Sequence, residues 1–221
     1  MFITYQQTSE QSYLLNYGED INIITNKKVI SHFNYLTKNK FKYIYNVVPS
    51  FNKLLIVFDI NFKKDVEILI QKLKLIDEND EVKSIQHLIS VCYDEEYALD
   101  YKNVENAFSI DFDEFINLHT SAILNVFMIG FMPGLPFLGL LNINQSLPRL
   151  ENPRISIPAG SVGVVDKLSV IYPNKSSGGW NLVGRTTFNL FNKNSNTTIL
   201  NPGDTVKFQH ISKKEFIKNE K

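Results

Sequence analysis

Cysteine is almost absent from this chain: Cys92 is the only one in 221 residues. No intrachain disulfide can form, and a reducing, cytoplasmic setting is the expectation. Net charge is absent too. Lys and Arg total 23 and so do Asp and Glu, which leaves nothing global to attract a nucleic acid or an anionic membrane. The N-terminal MFITYQQTSEQSY lacks a basic stretch followed by an apolar core, so no secretory signal is read there. No G-x-x-x-x-G-K loop followed by Ser or Thr occurs, and no G-x-G-x-x-G, so a self-contained nucleotide site of either kind has no support. The four histidines (His32, His87, His119, His210) are scattered and no Cys-x-x-Cys exists; no metal centre is expected.

Formal charge is missing over residues 115–148, His119 aside. A hydropathy scan lights up over ILNVFMIGFMPGLPFLGLL within it, but Gly130, Pro133, Gly134, Pro136 and Gly139 break that window, and no Lys or Arg anchors flank it closely. A lone span in lipid must satisfy its backbone internally, which this spacing resists, so no membrane span is expected. GFMPGLPFLGLL at 130–141 instead reads as buried, irregular backbone that shapes a site.

The first half carries regular elements. FITYQQT and SYLLNYG read as extended, and residues 20–38 as a helix. FKYIYNVVPS and KLLIVFDI are two β-type runs, and apolar residues at 66, 69, 70, 73 and 76 mark an amphipathic helix. KSIQHLISVCY closes with a strand. This predicts β-α-β-β-α-β, the split βαβ pattern of ferredoxin-like domains, over residues 1–92. Beyond Asp94 comes a connector with short helical pieces, then a helix from about residue 110, with Ser109 as its cap. Residues 124–210 are short apolar runs cut by Gly, Pro and Asn, which predicts a β-barrel within a second domain, 93–221. The fold class expected is α+β.

Few residues in that second domain carry readable chemistry. A-G-S-V-G at 159–163 is superficially like a nucleophile elbow, yet Pro158 precedes it and a β-type run follows, where the elbow needs a helix. Ser161 is better read as part of a turn whose N–H groups could face an anion or carbonyl. Cys92 reads as a small buried hydrophobe. His119 is either a core histidine or a site residue. The only three arginines, Arg149, Arg154 and Arg185, all fall here. Arg suits bidentate recognition of carboxylate or phosphate, so Arg149 and Arg154 are candidates for an anion clamp, with structural ion pairs as the alternative.

GFMPGLPFLGLL, PRLENPRISIPAGSVG, IYPNKSSGGWNLVGRTTFNLF and NPGDTVKF, in that order and spacing, resemble the KipI/PxpB family, also called allophanate hydrolase subunit 1 or the carboxyltransferase C/D domain. The likeness is strong over about residues 85–210. It departs from the family at CYDEEYALDY, which keeps Cys92, Glu96 and Asp100 but lacks the family's glycines. The resemblance implies a cyclophilin-like barrel after a ferredoxin-like domain. It also implies the B component of a prokaryotic 5-oxoprolinase, which uses ATP to open 5-oxo-L-proline to L-glutamate. The partners implied are an A component of the LamB/YcsF type and a C component of the KipA/PxpC type. ATP belongs to the complex, with no cofactor held by this chain alone. Related roles in the family are inhibition of a histidine kinase and half of a urea carboxylase carboxyltransferase domain. The expected substrate cleft comprises His119, Arg149, Arg154, Ser161, Tyr172, Gly178, Gly179, Trp180 and Arg185.

Overall fold

A computed structural model describes residues 4–75, 84–192 and 194–220. Phe2 and Ile3, Ile76, and Lys83, at the ends of three of the expected elements, lie outside them. The chain divides into two units, Met1–Ser84 and Ile85–Lys221.

In the first unit a hairpin of β1 (Thr4–Ser9) and β2 (Ser12–Asn16) precedes α1 (Ile23–Asn39). A second hairpin, β3 (Ile44–Pro49) and β4 (Lys53–Phe58), precedes α2 (Lys63–Leu73). The α1 N-terminus is set by Asn22, whose side chain accepts the Thr25 N–H at 2.8 Å, satisfying one of the donors a helix start leaves open. Val66, Leu69, Ile70 and Leu73 of α2 are buried, as their helical spacing predicts. On β4 Leu54, Ile56 and Phe58 alternate inward and join them in one core.

The strands form one antiparallel sheet in the order β1-β2-β4-β3. The element order is thus ββαββα, not the expected βαββαβ. Two residues join β1 to β2, so β1 is the nearest partner for the free edge of β2. The strand expected to end this unit, β5 (Gln86–Val91), pairs elsewhere.

The second unit opens with β5 and continues through α3 (Tyr101–Phe108) and α4 (Phe112–Ser121). Next come β6 (Ile123–Ile129), β7 (Pro136–Gly139), β8 (Arg154–Ile157), β9 (Ser161–Val165) and β10 (Leu168–Ile171). Then β11 (Ser176–Gly178), β12 (Asn181–Arg185), the short β13 (Phe191–Asn192) and β14 (Thr197–Thr198), β15 (Thr205–His210) and α5 (Lys213–Asn219) follow. Seven of these strands make one sheet, β12-β9-β10-β7-β6-β15-β5, in which β5 runs parallel to β15 from Thr205↔Gln86 to His210↔Val91.

The sheet curls until its two edges touch. Cys92, just past β5, and Arg185, the last residue of β12, exchange backbone hydrogen bonds of 2.8 and 2.9 Å. A side chain on the neighbouring Gly184 would press within 2.7 Å of the Cys92 carbonyl, so the closure depends on glycine there. Inside the curl, Leu124, Val126, Val162, Val164, Ile171, Val183 and Val206 pack against Phe108 of α3 and Phe115 of α4. The chain is therefore a mixed α/β protein built on a curled, half-barrel sheet.

Two local expectations are corrected. The α4 cap is Asp111, whose carboxylate accepts the Glu114 N–H at 2.7 Å, whereas Ser109 is the left-handed residue that ends α3 (φ 58°). Residues 130–135 form the hairpin turn between β6 and β7, closed by Gly130 N–H to the Leu135 carbonyl at 3.0 Å, and 136–139 is a regular interior strand. Pro136 is tolerated as its first residue. Gly139 is needed because Leu168 and Phe127 fill the space a Cβ would take. Close packing of side chains, not a ligand, explains the glycine there.

Candidate functional site

Six of the nine expected site residues come together on one face of the second unit. Strand β8 pairs with β11, placing Gly178 opposite Arg154. The chain then turns through Gly179 and Trp180 into β12. The preceding loop is clipped to that turn: Leu150 N–H donates to the Gly179 carbonyl at 2.7 Å, and Asn181 Nδ2 to the Pro148 carbonyl at 2.9 Å. Arg149 is thereby carried over the Trp180 ring, 5.7 Å from its centroid, a cation–π contact. Tyr172 is buried beneath, its hydroxyl occupying the space a Gly178 side chain would need. Burial pushes the Tyr172 phenol upward, opposed by the Arg149 and Arg154 cations and a Trp180 backbone hydrogen bond. Both guanidiniums therefore act on this ring electrostatically.

The two candidate clamp arginines have different tasks. Arg154 makes a two-pronged ion pair with Asp100, both N–H···O distances 2.8 Å. Asp100 is 7% exposed and also accepts the Leu182 N–H at 2.7 Å. Arg154 is thus occupied as a bolt that spans the Gly178–Leu182 turn, and for this arginine the structural ion pair is the reading that holds. Arg149 is exposed and has no carboxylate partner among the described residues. It remains available to an anion.

The other three residues lie in different surroundings. Arg185 donates to the Ala159 carbonyl (2.9 Å), pairs with Glu220 (3.2 Å) and sits over the rings of Tyr97 and Phe216. It pins α5 against the sheet closure. Ser161 starts β9 and is buried. The N–H groups expected to face an anion are consumed internally: Gly160 donates to the Tyr172 carbonyl (2.7 Å) and Ser161 to the Pro158 carbonyl (3.3 Å). The following segment is a strand, so the elbow geometry is absent.

His119 is a core histidine, fully buried on α4 and stacked on Phe208 with ring centroids 4.5 Å apart. Its Nδ1 meets the Tyr93 hydroxyl at 2.7 Å and its Nε2 the Ser169 hydroxyl at 2.9 Å. Burial holds its pKa down, from 6.5 to about 3. As pH falls through about 6.5 the unfolded imidazole takes a proton that the folded one refuses, so stability is lost progressively toward about pH 3. At pH 4.5 this amounts to roughly 3 kcal/mol. Urea unfolding at pH 7 and pH 4.5 should show that loss in the wild type, and His119→Gln should remove most of the difference. An unchanged difference would contradict the assignment. Cys92 is likewise buried, and burial is the main cause that pushes its thiol upward.

Sequence reasoning gave no role to Asp100, Asn103 or Asn181, all of which organise this face. Asp100 was legible only as an acid retained in CYDEEYALDY. Nothing in the local pattern reveals a partner 54 residues away. Among the described residues no group of three His, Cys, Asp or Glu could hold a metal ion, and no helix is long and apolar enough to cross a membrane.

The chain has clear relatives. Residues 3–201 match the family described as carboxyltransferase domain, subdomain C and D, and the chain belongs to it. It is 34% identical to the B subunit of 5-oxoprolinase from Bacillus subtilis (strain 168), over 98% of this chain and 97% of that protein. It is 39% identical to the B subunit of 5-oxoprolinase from Haemophilus influenzae, over 75% and 78% respectively. Among solved structures it is similar to the urea carboxylase of Kluyveromyces lactis, with a TM-score of 0.78 and 21% identity, covering 96% of this chain and 22% of that one. At that identity the likeness is one of fold.

Proposed function

We propose that this chain is the B component of an ATP-dependent 5-oxoprolinase and works in the cytoplasm with A-type and C-type partners. The observation that carries the reading is the end-to-end match to the Bacillus subtilis relative, with nearly all of both chains aligned. In the reaction, water's oxygen adds to the ring carbonyl carbon of 5-oxo-L-proline and the ring C–N bond breaks. The nitrogen becomes the amine of L-glutamate, and a second water is consumed as ATP goes to ADP and phosphate. We read the second unit as a cyclophilin-like barrel and the first as a ferredoxin-like layer whose fourth strand comes from the N-terminal side.

Within the complex this chain supplies a binding surface, and the partners complete the chemistry. The Arg149–Trp180 face supports that division: among the described residues it offers a cation with no carboxylate partner, and no hydroxyl or thiol set beside a base. ATP is consumed by the complex and no cofactor is held by this chain alone. The test is ATP-dependent glutamate release from 5-oxo-L-proline, by the chain alone and after co-expression with its genomic neighbours. Release only from the mixture is expected. Release by the isolated chain, or none from the mixture, would reject the proposal.

A further inference from the structure

The Arg149 loop and the exposed side of α3 border an open cleft of about 420 Å3, within the size range of small-ligand sites. Its polar lining is Asn103, Asn106, Arg149, Glu151 and Asn181, with Ala107 and Leu147 among the apolar remainder. The hydrogen bonds fix which atoms are spare. Asn181 donates through Nδ2 to the Pro148 carbonyl (2.9 Å), so its Oδ1 is the oxygen facing Asn103. Asn103 must then donate through its own Nδ2, as it does at 3.1 Å. That leaves Asn103 Oδ1 as an acceptor with no partner in the chain among the described residues. Within the same described residues Asn106 makes no side-chain hydrogen bond, and Arg149 has no carboxylate.

We infer that Asn103, Asn106, Arg149 and Glu151 form a subsite for an amino-acid head group: a carboxylate whose neighbouring carbon carries an N–H. The guanidinium takes the carboxylate, with Trp180 holding its other face. Asn103 Oδ1 accepts the N–H, and Asn106 is adaptable to either neighbour. A bare anion site would have no use for Glu151 and a spare acceptor, which oppose negative charge. A carboxylate next to a lactam N–H uses the spare acceptor, and one next to an ammonium uses both. This deepens the 5-oxoprolinase reading and rests on it, since 5-oxo-L-proline and L-glutamate share that head group.

The test is calorimetric titration of the full chain with four probes. These are 5-oxo-L-proline, L-glutamate, 2-pyrrolidinone (no carboxylate) and cyclopentanecarboxylate (no N–H). The first two should bind, and the last two about tenfold more weakly or worse. Arg149→Met and Asn103→Leu should each weaken 5-oxo-L-proline binding by about tenfold, near 1.4 kcal/mol. Both side chains are exposed, and thermal unfolding of each variant checks that it is folded. Equal binding of all four probes, wild-type binding by both variants, displacement by equimolar inorganic phosphate, or no binding up to about 10 mM overturns the inference. In the reconstituted complex Arg149→Met should raise KM for 5-oxo-L-proline by about tenfold. A wild-type complex that releases no glutamate would instead sink the functional reading and leave the binding result standing.

Discussion

Replacing Gly160 by alanine should cost about 3 kcal/mol of stability or more. Gly160 sits at φ 81°, in the left-handed region, and an added Cβ would fall onto the backbone carbonyl oxygen of Thr186. Neither side can yield easily. The Gly160 N–H donates to the Tyr172 carbonyl at 2.7 Å, and its carbonyl accepts the Thr186 N–H at 2.9 Å, so moving it breaks both links between the start of β9 and its neighbours. Gly179 is the control. Its Cβ would come only to 3.4 Å from Pro153 Cγ, and Gly179→Ala should cost under about 1 kcal/mol. Urea unfolding of both variants checks this, and a Gly160→Ala protein as stable as the wild type would show that the turn is not built as described.

Asp100→Ala is the second large effect, expected at about 3 kcal/mol. Removing the carboxylate strands the Arg154 guanidinium and leaves the buried Leu182 N–H without its acceptor. Breaking a buried pair costs about 3–5 kcal/mol in general, because the surviving group is left unpaired in low dielectric. The lower end applies since the Arg154 side chain is 28% exposed and retains some water. Arg154→Met should cost less, about 2 kcal/mol, because Asp100 keeps its Leu182 hydrogen bond. The double variant should be markedly more stable than the sum of the two losses predicts. Strict additivity would mean that the pair is not coupled.

These contrasts show which parts of the molecule can be read from sequence. Helix α2 was legible because Val66, Leu69, Ile70 and Leu73 repeat at helical spacing, a local property. The choice of edge strand was not. The pattern QHLISV says "strand" whether it joins the first sheet or lies parallel to β15, as it does, and only the competing β1 hairpin decides. The α4 cap slipped by two residues because Ser109 and Asp111 are both good capping residues, and backbone conformation chooses between them. At the site, gathering Arg149, Arg154, Tyr172, Gly178, Gly179 and Trp180 was within reach of motif reading. Dividing the arginines into one bolt, one pin and one free cation was not, because Asp100, Glu220 and Ala159 are distant in sequence. Asn103 was invisible for the same reason: its spare oxygen is defined by Asn181, 78 residues away.

The most direct test of the account is an omission experiment. A mixture of the A-type and C-type partners with ATP and 5-oxo-L-proline should release no glutamate above background until this chain is added. Release should then rise with its concentration and saturate at a fixed ratio to the partners. Glutamate release at the same rate with and without the chain would contradict the claim that it is an indispensable, non-autonomous component.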